Sequence, residues 1–437
     1  MEGCKRSKIG MVCDEFDTFE LKSVLTKNDA GDWGMEPDEN AVGVIRSTNF
    51  NNNGKLDLSD IAYRTLTPKK FSEKKLYASD ILIERSGGSE TQPVGRVGFI
   101  TDEIANTDYA FANFIQRISL DNTVDAKFVY YCLQQMYEMG ITAGMQSQTT
   151  GIRNLDWKQY IKVTLPKPSL SEQTAIATML SKVDEAIVAV QCSIVAAERL
   201  KKSLMQNLLT GKMKPDGTFR TPEEFYTDEK FGQVPVGWKV KKLKDIASIQ
   251  RGKFGHRPRN DERFYNGNYS FVQTNDVVES VLYLKRASQS LNELGASVSK
   301  CFPRNTIIMT IAANIGYVTL AQYEVYFPDS LIGINANENI INPMYLLFQL
   351  MGYKNVLDAL ATESAQKNIN YSNLRPLTIL LPTNLEEQLQ ITKRIIMVFN
   401  EIECKKSKIL ILERLKKSLM QNLLTGKVKI IDKTWQQ

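Results

Sequence analysis

Apolar residues recur every three or four positions along two stretches of this chain. In the first they fall at Ile176, Leu180, Val183, Ile187, Val190, Ile194, Ala197, Leu200, Leu204 and Leu208. In the second they fall at Ile391, Ile395, Val398, Ile402, Ile409, Leu412, Leu415, Leu419 and Leu423, with Lys405 interrupting once. This spacing predicts two long helices, each with a coiled-coil seam. Their ends are marked too. Pro166 and Pro168 lead to Ser169, with Glu172 three residues on as a capping box, and Leu170 to Thr210 holds neither Gly nor Pro before Gly211 stops the helix. The second starts after Pro382, with Asn384 as cap and Glu387 at its third position, and runs to Gly426. At about 1.5 Å per residue each rod spans roughly 60 Å. Two matched stripes in one chain pair at high effective concentration, although helices of another protein would satisfy the same seams.

The two rods end in the same peptide. ERLKKSLMQNLLTGK stands at Glu198–Lys212 and again at Glu413–Lys427, displaced by 413 − 198 = 215 of 437 residues. A period this long marks domain duplication. Weaker matches lie upstream: Phe128–Tyr131 with Tyr345–Phe348, Gly95 with Gly316, and Thr48-Asn49 with Thr274-Asn275. Short alternating segments at Ala41–Thr48, Asp80–Glu84 and Arg96–Ile100 read as strands and match Tyr269–Thr274, Thr306–Thr310 and Gly316–Ala321. A helix follows in each copy, over Asp125–Met139 and Pro343–Leu360. The layout expected is a mixed α/β module over residues 1–165, a rod over 169–212, a linker over 213–236, a second module over 237–382 and a second rod over 384–428. Antiparallel rods would put the modules at opposite ends about a pseudo-twofold axis, and parallel rods would put them side by side. The polar linker permits either.

Composition narrows the function classes. The chain is 43% hydrophobic and 24% charged, enough to bury real cores. No apolar run reaches bilayer length, the start MEGCKRSKIG lacks a signal-peptide core, and Glu2 stands where myristoylation needs glycine, so a cytoplasmic protein is expected. Six scattered cysteines without a C-x-x-C pair indicate neither zinc nor a disulfide framework. A net charge of +6 is a mild excess, and its distribution says more than its size. Gln250–Phe264 sets Arg251, Lys253, His256, Arg257 and Arg259 among Gly, Pro and Phe254, a loop able to follow phosphates or enter a groove, although a plain solvated loop has a similar composition.

Enzyme signatures are sparse. Gly211-Lys212 lacks the upstream glycine of a phosphate loop, Asn342-Pro343-Met344 is no base-methylating motif, and His256, in a loop between Gly255 and Arg257, is the sole histidine, too few for most metal hydrolase sites. No cofactor and no metal site are expected. A rival reading is a nuclease built on Asp80 and Glu84, with Glu73-Lys74-Lys75 as a further acidic and basic group, but the matching strand Thr306–Thr310 has no acidic residue. A coiled-coil adaptor without DNA affinity is the other.

LPKPSLSEQTAI (Leu165–Ile176), its partner LLPTNLEEQLQI (Leu380–Ile391), the twin LKKSLMQNLLTGK ends, the lead-in VPVGWKVKKLKDI (Val234–Ile246) and SDILIERSGG (Ser79–Gly88) together resemble the specificity subunit of type I restriction-modification systems. The resemblance covers nearly the whole chain and departs in one place, since Pro-x-Gly-Trp occurs only at Pro235–Trp238 and the first module starts irregularly. It implies an α+β fold of two mixed α/β target recognition domains separated by two long antiparallel coiled-coil helices, an internal duplication with pseudo-twofold symmetry. It also implies a non-catalytic subunit that reads a bipartite double-stranded DNA target, docks methyltransferase (modification) subunits on its helices and reaches restriction subunits through the complex.

Base reading calls for Arg or Lys toward guanine and Asn or Gln toward adenine. In the first module the candidates are Arg46, Thr48, Asn49, Arg85 in the Ser86–Ser89 turn region, and Gln148, Thr149, Arg153 and Asn154. In the second they are Gln273, Thr274, Asn275, Gln366, Lys367 and Asn368, with Arg251, Lys253, His256, Arg257 and Arg259 for phosphates. Thr-Asn after a strand is also ordinary turn chemistry.

Overall fold

The predicted rods are helices over Leu170–Leu209 and Leu385–Leu423 in the computed structural model, which describes residues 4–89, 92–149, 152–229, 231–256, 259–312, 314–362, 369 and 374–430. Each stops as expected. Gly211 and Gly426 both take φ of +69°, with the Met213 and Val428 amides bonding back to the Asn207 and Asn422 carbonyls. Only glycine fits, because a Cβ at Gly211 would meet the Pro235 ring at 2.3 Å and one at Gly426 the Cys13 sulfur at 2.5 Å. Ser169 Oγ caps the first rod at the Glu172 amide, 3.3 Å away. On the second, Asn384 caps while Glu387 binds Arg220 and the Trp238 indole N–H.

Two units divide the chain, residues 1–191 with 407–437, and residues 192–406. In the first unit a four-stranded antiparallel sheet has the order Leu25–Ala30, Ile115–Leu120, Ile81–Glu84, Val97–Phe99. Side chains alternate along its third strand. Ile81 and Ile83 pack with helix Ala126–Glu138, with Ile176 and Leu180 of one rod and with Met420, Leu423 and Leu424 of the other, while Leu82 packs on the opposite face with Ile45, Phe50 and Phe111. The period of two buries both faces. Lys416 Nζ meets Asp184 Oδ1 at 2.8 Å, so the two rod segments of this unit run antiparallel.

The second unit repeats the plan. Its sheet has the order Ala247–Arg251, Leu331–Ala336, Ile307–Thr310, Val318–Leu320. Ile307 and Met309 pack with Phe348, Leu208 and Ile391, and Ile308 with Phe302 and Phe327. Ala197 against Val398 and Ile402, with Leu208 near Ile391 and Ile395, makes its rod segments antiparallel as well. The second helix of the repeat is two helices, Pro343–Gly352 and Lys354–Thr362, with Tyr353 capping the first. A second sheet in each unit includes a parallel pair, Val42–Ile45 with Ala110–Phe111 and Tyr265–Phe271 with Val325–Tyr326.

The glutamine of each L-[SE]-E-Q segment fastens a rod to its module. Gln173 is fully buried, accepts the Asp125 amide at 2.9 Å and donates to the Pro168 carbonyl at 2.9 Å. Gln388, equally buried, accepts the Asn342 amide at 2.7 Å and donates to the Pro382 carbonyl at 2.8 Å. Asp125 and Asn342 are the N-caps of the module helices, so one side chain ties cap to rod. Gln173→Leu strands a buried amide and a carbonyl and should lower stability by about 2 to 4 kcal/mol. Urea unfolding checks this, and an unshifted midpoint would remove the bonds from the account.

The irregular start of module one has its own answer to Trp238. Phe16, 2% exposed, lies against Gly426 as Trp238 lies against Gly211. An aromatic ring covers the terminal glycine of a rod in both units.

Candidate nucleic-acid interface

A short capped turn follows one strand of the mixed sheet in each module, and it carries the first group of candidates. In module one, the Arg46 amide donates to Asn49 Oδ1 at 2.9 Å; in module two, the Gln273 amide donates to Asp276 Oδ2 at 2.8 Å. The Asn49 and Asp276 amides return to the Arg46 and Gln273 carbonyls at 2.9 and 3.1 Å, and these bonds align Arg46 with Gln273 and Asn49 with Asp276, one residue away from the sequence match of Thr48-Asn49 to Thr274-Asn275. Asn49 is 2% exposed, and its Nδ2 donates to the Asp57 and Asp60 carbonyls at 2.7 and 3.0 Å. With its amide consumed by backbone, Asn49 organises the turn from below and is not placed to meet a base. Asp276 does the same work, accepting Ser288 N and Oγ at 3.0 Å each. Thr48 and Asn275 stay exposed on the outer side, and Thr274 is half-buried.

A buried ion pair supports the turn of module one. Glu84, fully buried, takes Arg96 Nε at 2.8 Å and Nη2 at 2.6 Å, and Arg96 also donates to the carbonyls of Ser47, at 3.0 Å, and Phe50. Asp80 accepts the Tyr77 amide at 2.9 Å and the Ser119 hydroxyl at 2.5 Å. Asp80 and Glu84 of the nuclease reading are thus held by the scaffold.

Beside this turn the structure gathers segments that are far apart in sequence. Gln146–Thr149 and Ile152–Leu155 form a hairpin, joined by Ser86–Gly88 as the third strand of a small antiparallel sheet. The region read from sequence as a turn is therefore a strand, held by Ser86 Oγ to Asn154 Oδ1 at 2.5 Å and opened by Gly87 at φ +114°. Gln148 pairs with Arg153 and Arg153 with Gly88, while Arg85, exposed, precedes the strand. A methyl group on Gly87 would lie 3.7 Å from the Ser47 hydroxyl. The Arg46–Asn49 turn thus lies beside the Ser86–Gly88 strand.

In module two the basic loop wraps a cluster of rings. Phe254 is buried against Phe264 and Phe271, and His256 stacks on Phe264 with centroids 4.1 Å apart. His256 Nε2 sits 3.0 Å from Asp261 Oδ2, and the Arg263 guanidinium bound to Asp261 holds that carboxyl far below its ordinary range. His256 is thus a clamp of its own loop. Arg251 Nε donates to the Asp329 carbonyl at 2.6 Å, Arg259 pairs with the Asp329 carboxylate, and Lys253 is exposed. Arg259 and Gln273 share the wall of an open cleft of about 600 Å³ with Tyr265, Asn266 and Gln289. Arg257, Gln366, Lys367 and Asn368 lie outside the described residues. Two residues that the sequence did not single out flank the turns: Asp60 bonds Arg46 at 2.7 Å, and Gln289 bonds Gln273 at 2.9 Å.

The sequence pattern of the type I restriction modification DNA specificity domain matches the chain twice, over residues 14–193 and 235–414. The chain belongs to this family. It carries two DNA specificity domains, each including one capped turn and one rod start. It is 28% identical over 297 residues to the MjaVIII type I restriction enzyme specificity subunit of Methanocaldococcus jannaschii, covering 65% of this chain and 67% of that one. A chain of the same organism named for the MjaX specificity subunit is 22% identical over 435 residues, 98% of this chain and 97% of its own. The fold is shared with the S subunit of a type I restriction-modification system from M. genitalium, with a TM-score of 0.56 at 14% identity over 93% of this chain and 96% of that. Among the described residues no group of three or more His, Cys, Asp or Glu is arranged to hold a metal, and no helix is long and apolar enough to cross a membrane.

Proposed function

We propose that this specificity subunit reads a bipartite DNA target, one half with the Arg46 turn and the Arg85, Gln148 and Arg153 sheet, the other with the Gln273 turn and the Arg251–Arg259 loop. The observation that carries the reading is the capped turn itself, built twice by different residues on the same scaffold in two DNA specificity domains. Backbone-locked turns present Arg46 and Thr48, or Gln273 and Asn275, while Lys253, Arg257, Arg259 and Lys367 supply charge toward phosphates. Asn49 and His256 act as supports of these surfaces. Catalysis is left to methyltransferase subunits that dock on the rods, where Val188, Leu410, Ile411 and Leu415 are exposed in the first unit and Val195, Leu200 and Met397 in the second, Leu200 and Leu415 being expected seam positions that the paired rods leave uncovered. Restriction subunits join through that complex, in the cytoplasm.

The rods set the distance between half-sites. Four residues inserted after Val188 and four after the equivalent Glu403 lengthen both helices by about 6 Å. The unread spacer of the methylated sites should grow by about one or two base pairs, at about 3.4 Å each, with both half-sites unchanged. Sequencing of methylated sites reads this, and an unaltered spacer would separate the rods from the ruler role.

A further inference from the structure

We infer that the residue capping each turn and its neighbour at the adjoining strand edge work together as one base-pair reader, Arg46 with Asp60 for a G·C pair and Gln273 with Gln289 for an A·T pair. This rests on the reading of the modules as DNA readers and adds the identity of one base pair in each half-site.

The first members of the two pairs occupy corresponding places, and their partners stand on corresponding strands two residues apart in register. Arg46 and Gln273 both cap the turn that leaves the mixed sheet, with their amides fixed by Asn49 and Asp276. Their partners come from the neighbouring strand: Asp60 lies two residues before Ala62–Arg64, and Gln289 begins Gln289–Leu291. In module one the contact is an ion pair, Arg46 Nη2 to Asp60 Oδ2 at 2.7 Å, with the Asp60 side chain 85% exposed. In module two it is an amide pair, Gln273 Nε2 to Gln289 Oε1 at 2.9 Å, on the wall of the open cleft.

The chemistry of the pairs differs in a way that bases distinguish. Guanine shows two acceptors in the major groove and cytosine one amino donor. A guanidinium held beside a carboxylate supplies donors for the first and an acceptor for the second. Adenine shows one donor and one acceptor. The atoms outside the Gln273–Gln289 bond, Gln273 Oε1 and Gln289 Nε2, are one acceptor and one donor. An exposed ion pair contributes little to stability, so the Asp60 carboxylate, unlike the Asp60 carbonyl that holds Asn49, has small structural value.

The test is a reader exchange in the full chain, expressed with its cognate modification subunit in a host without other DNA methylation, and read by sequencing methylated sites. R46Q/D60Q should convert a single G·C position of the first half-site to A·T, with methylation of the original sequence falling on the order of tenfold to a hundredfold and the second half unchanged. Q273R/Q289D should convert one A·T position of the second half-site to G·C. D60N, which alters only an exposed side chain, should relax the choice at the same G·C position by roughly tenfold, and this arm stands whether or not the double variants fold. An unchanged motif in D60N, or changes at several positions or in the other half-site, would overturn the assignment while leaving the modules as DNA readers. If the wild-type chain itself directs methylation to no bipartite site, the DNA-reading proposal fails and this inference falls with it.

Discussion

Replacing the residues before Leu165 with the matching region of another specificity subunit should exchange one half of the methylated target and leave the other half intact. Every described part of the first reading surface, from Arg46 to Arg153, lies in that stretch and rests on sheets formed within it. Several mismatched base pairs at about 1 to 3 kcal/mol each amount to a loss of more than a hundredfold at the old half-site. The graft has to keep what the rest of the chain holds. An aromatic at Phe16 covers Gly426, the Asp125 amide meets Gln173, and the core must accept Met420, Leu423 and Leu424. Sequencing of methylated sites gives the result directly. A graft that altered both halves would mean that base contacts are not local to the modules.

Much of this architecture was legible because it is periodic or repeated. The rods follow from the spacing of Ile176 to Leu208 and Ile391 to Leu423, and the strand match of Asp80–Glu84 to Thr306–Thr310 agrees with the register, since Ile81 faces Ile118 as Ile307 faces Ile334. What escaped was set by contacts remote in sequence. Gln173 reads as part of a motif, and its task depends on an amide 48 residues away. Asn49 has the right chemistry for adenine, and the same donors and acceptors serve a backbone turn equally well. Only its burial distinguishes the two uses. Asp60 and Gln289 carried no signal because each gains meaning from the capping residue opposite it. Gly352 ends the first of two helices where the apolar pattern alone predicts one, glycine being a frequent helix stop.

A fragment ending at Lys212 should form a homodimer that, with modification subunits, methylates a palindrome of the first half-site and its inverted copy. In the full chain, Leu419, Met420, Leu423 and Leu424 complete the hydrophobic core of module one. The fragment lacks them but carries the same peptide as Leu204, Met205, Leu208 and Leu209, so a second copy can fill the gap. The polar contact of the seam also survives. Lys416 meets Asp184 at 2.8 Å, and Asp184 in turn accepts the Tyr131 hydroxyl at 2.8 Å. Lys201, the counterpart of Lys416, instead pairs with Glu198 of its own rod and lies over the Phe399 ring, 4.9 Å from its centroid. In the homodimer Lys201 of each copy would face Asp184 of the other. Light scattering should therefore give twice the fragment mass, and methylation sequencing an inverted repeat. K201E sets two carboxylates against each other at both contacts of the dimer, and breaking a partly buried pair costs about 3 to 5 kcal/mol. It should weaken dimerisation by at least a hundredfold, yet disturb the full chain far less, where the same side chain faces a ring and gives up only an exposed pair with Glu198. A monomeric wild-type fragment, or a K201E fragment that dimerises as tightly as the wild type, would refute the pairing by which the repeated peptide completes each module.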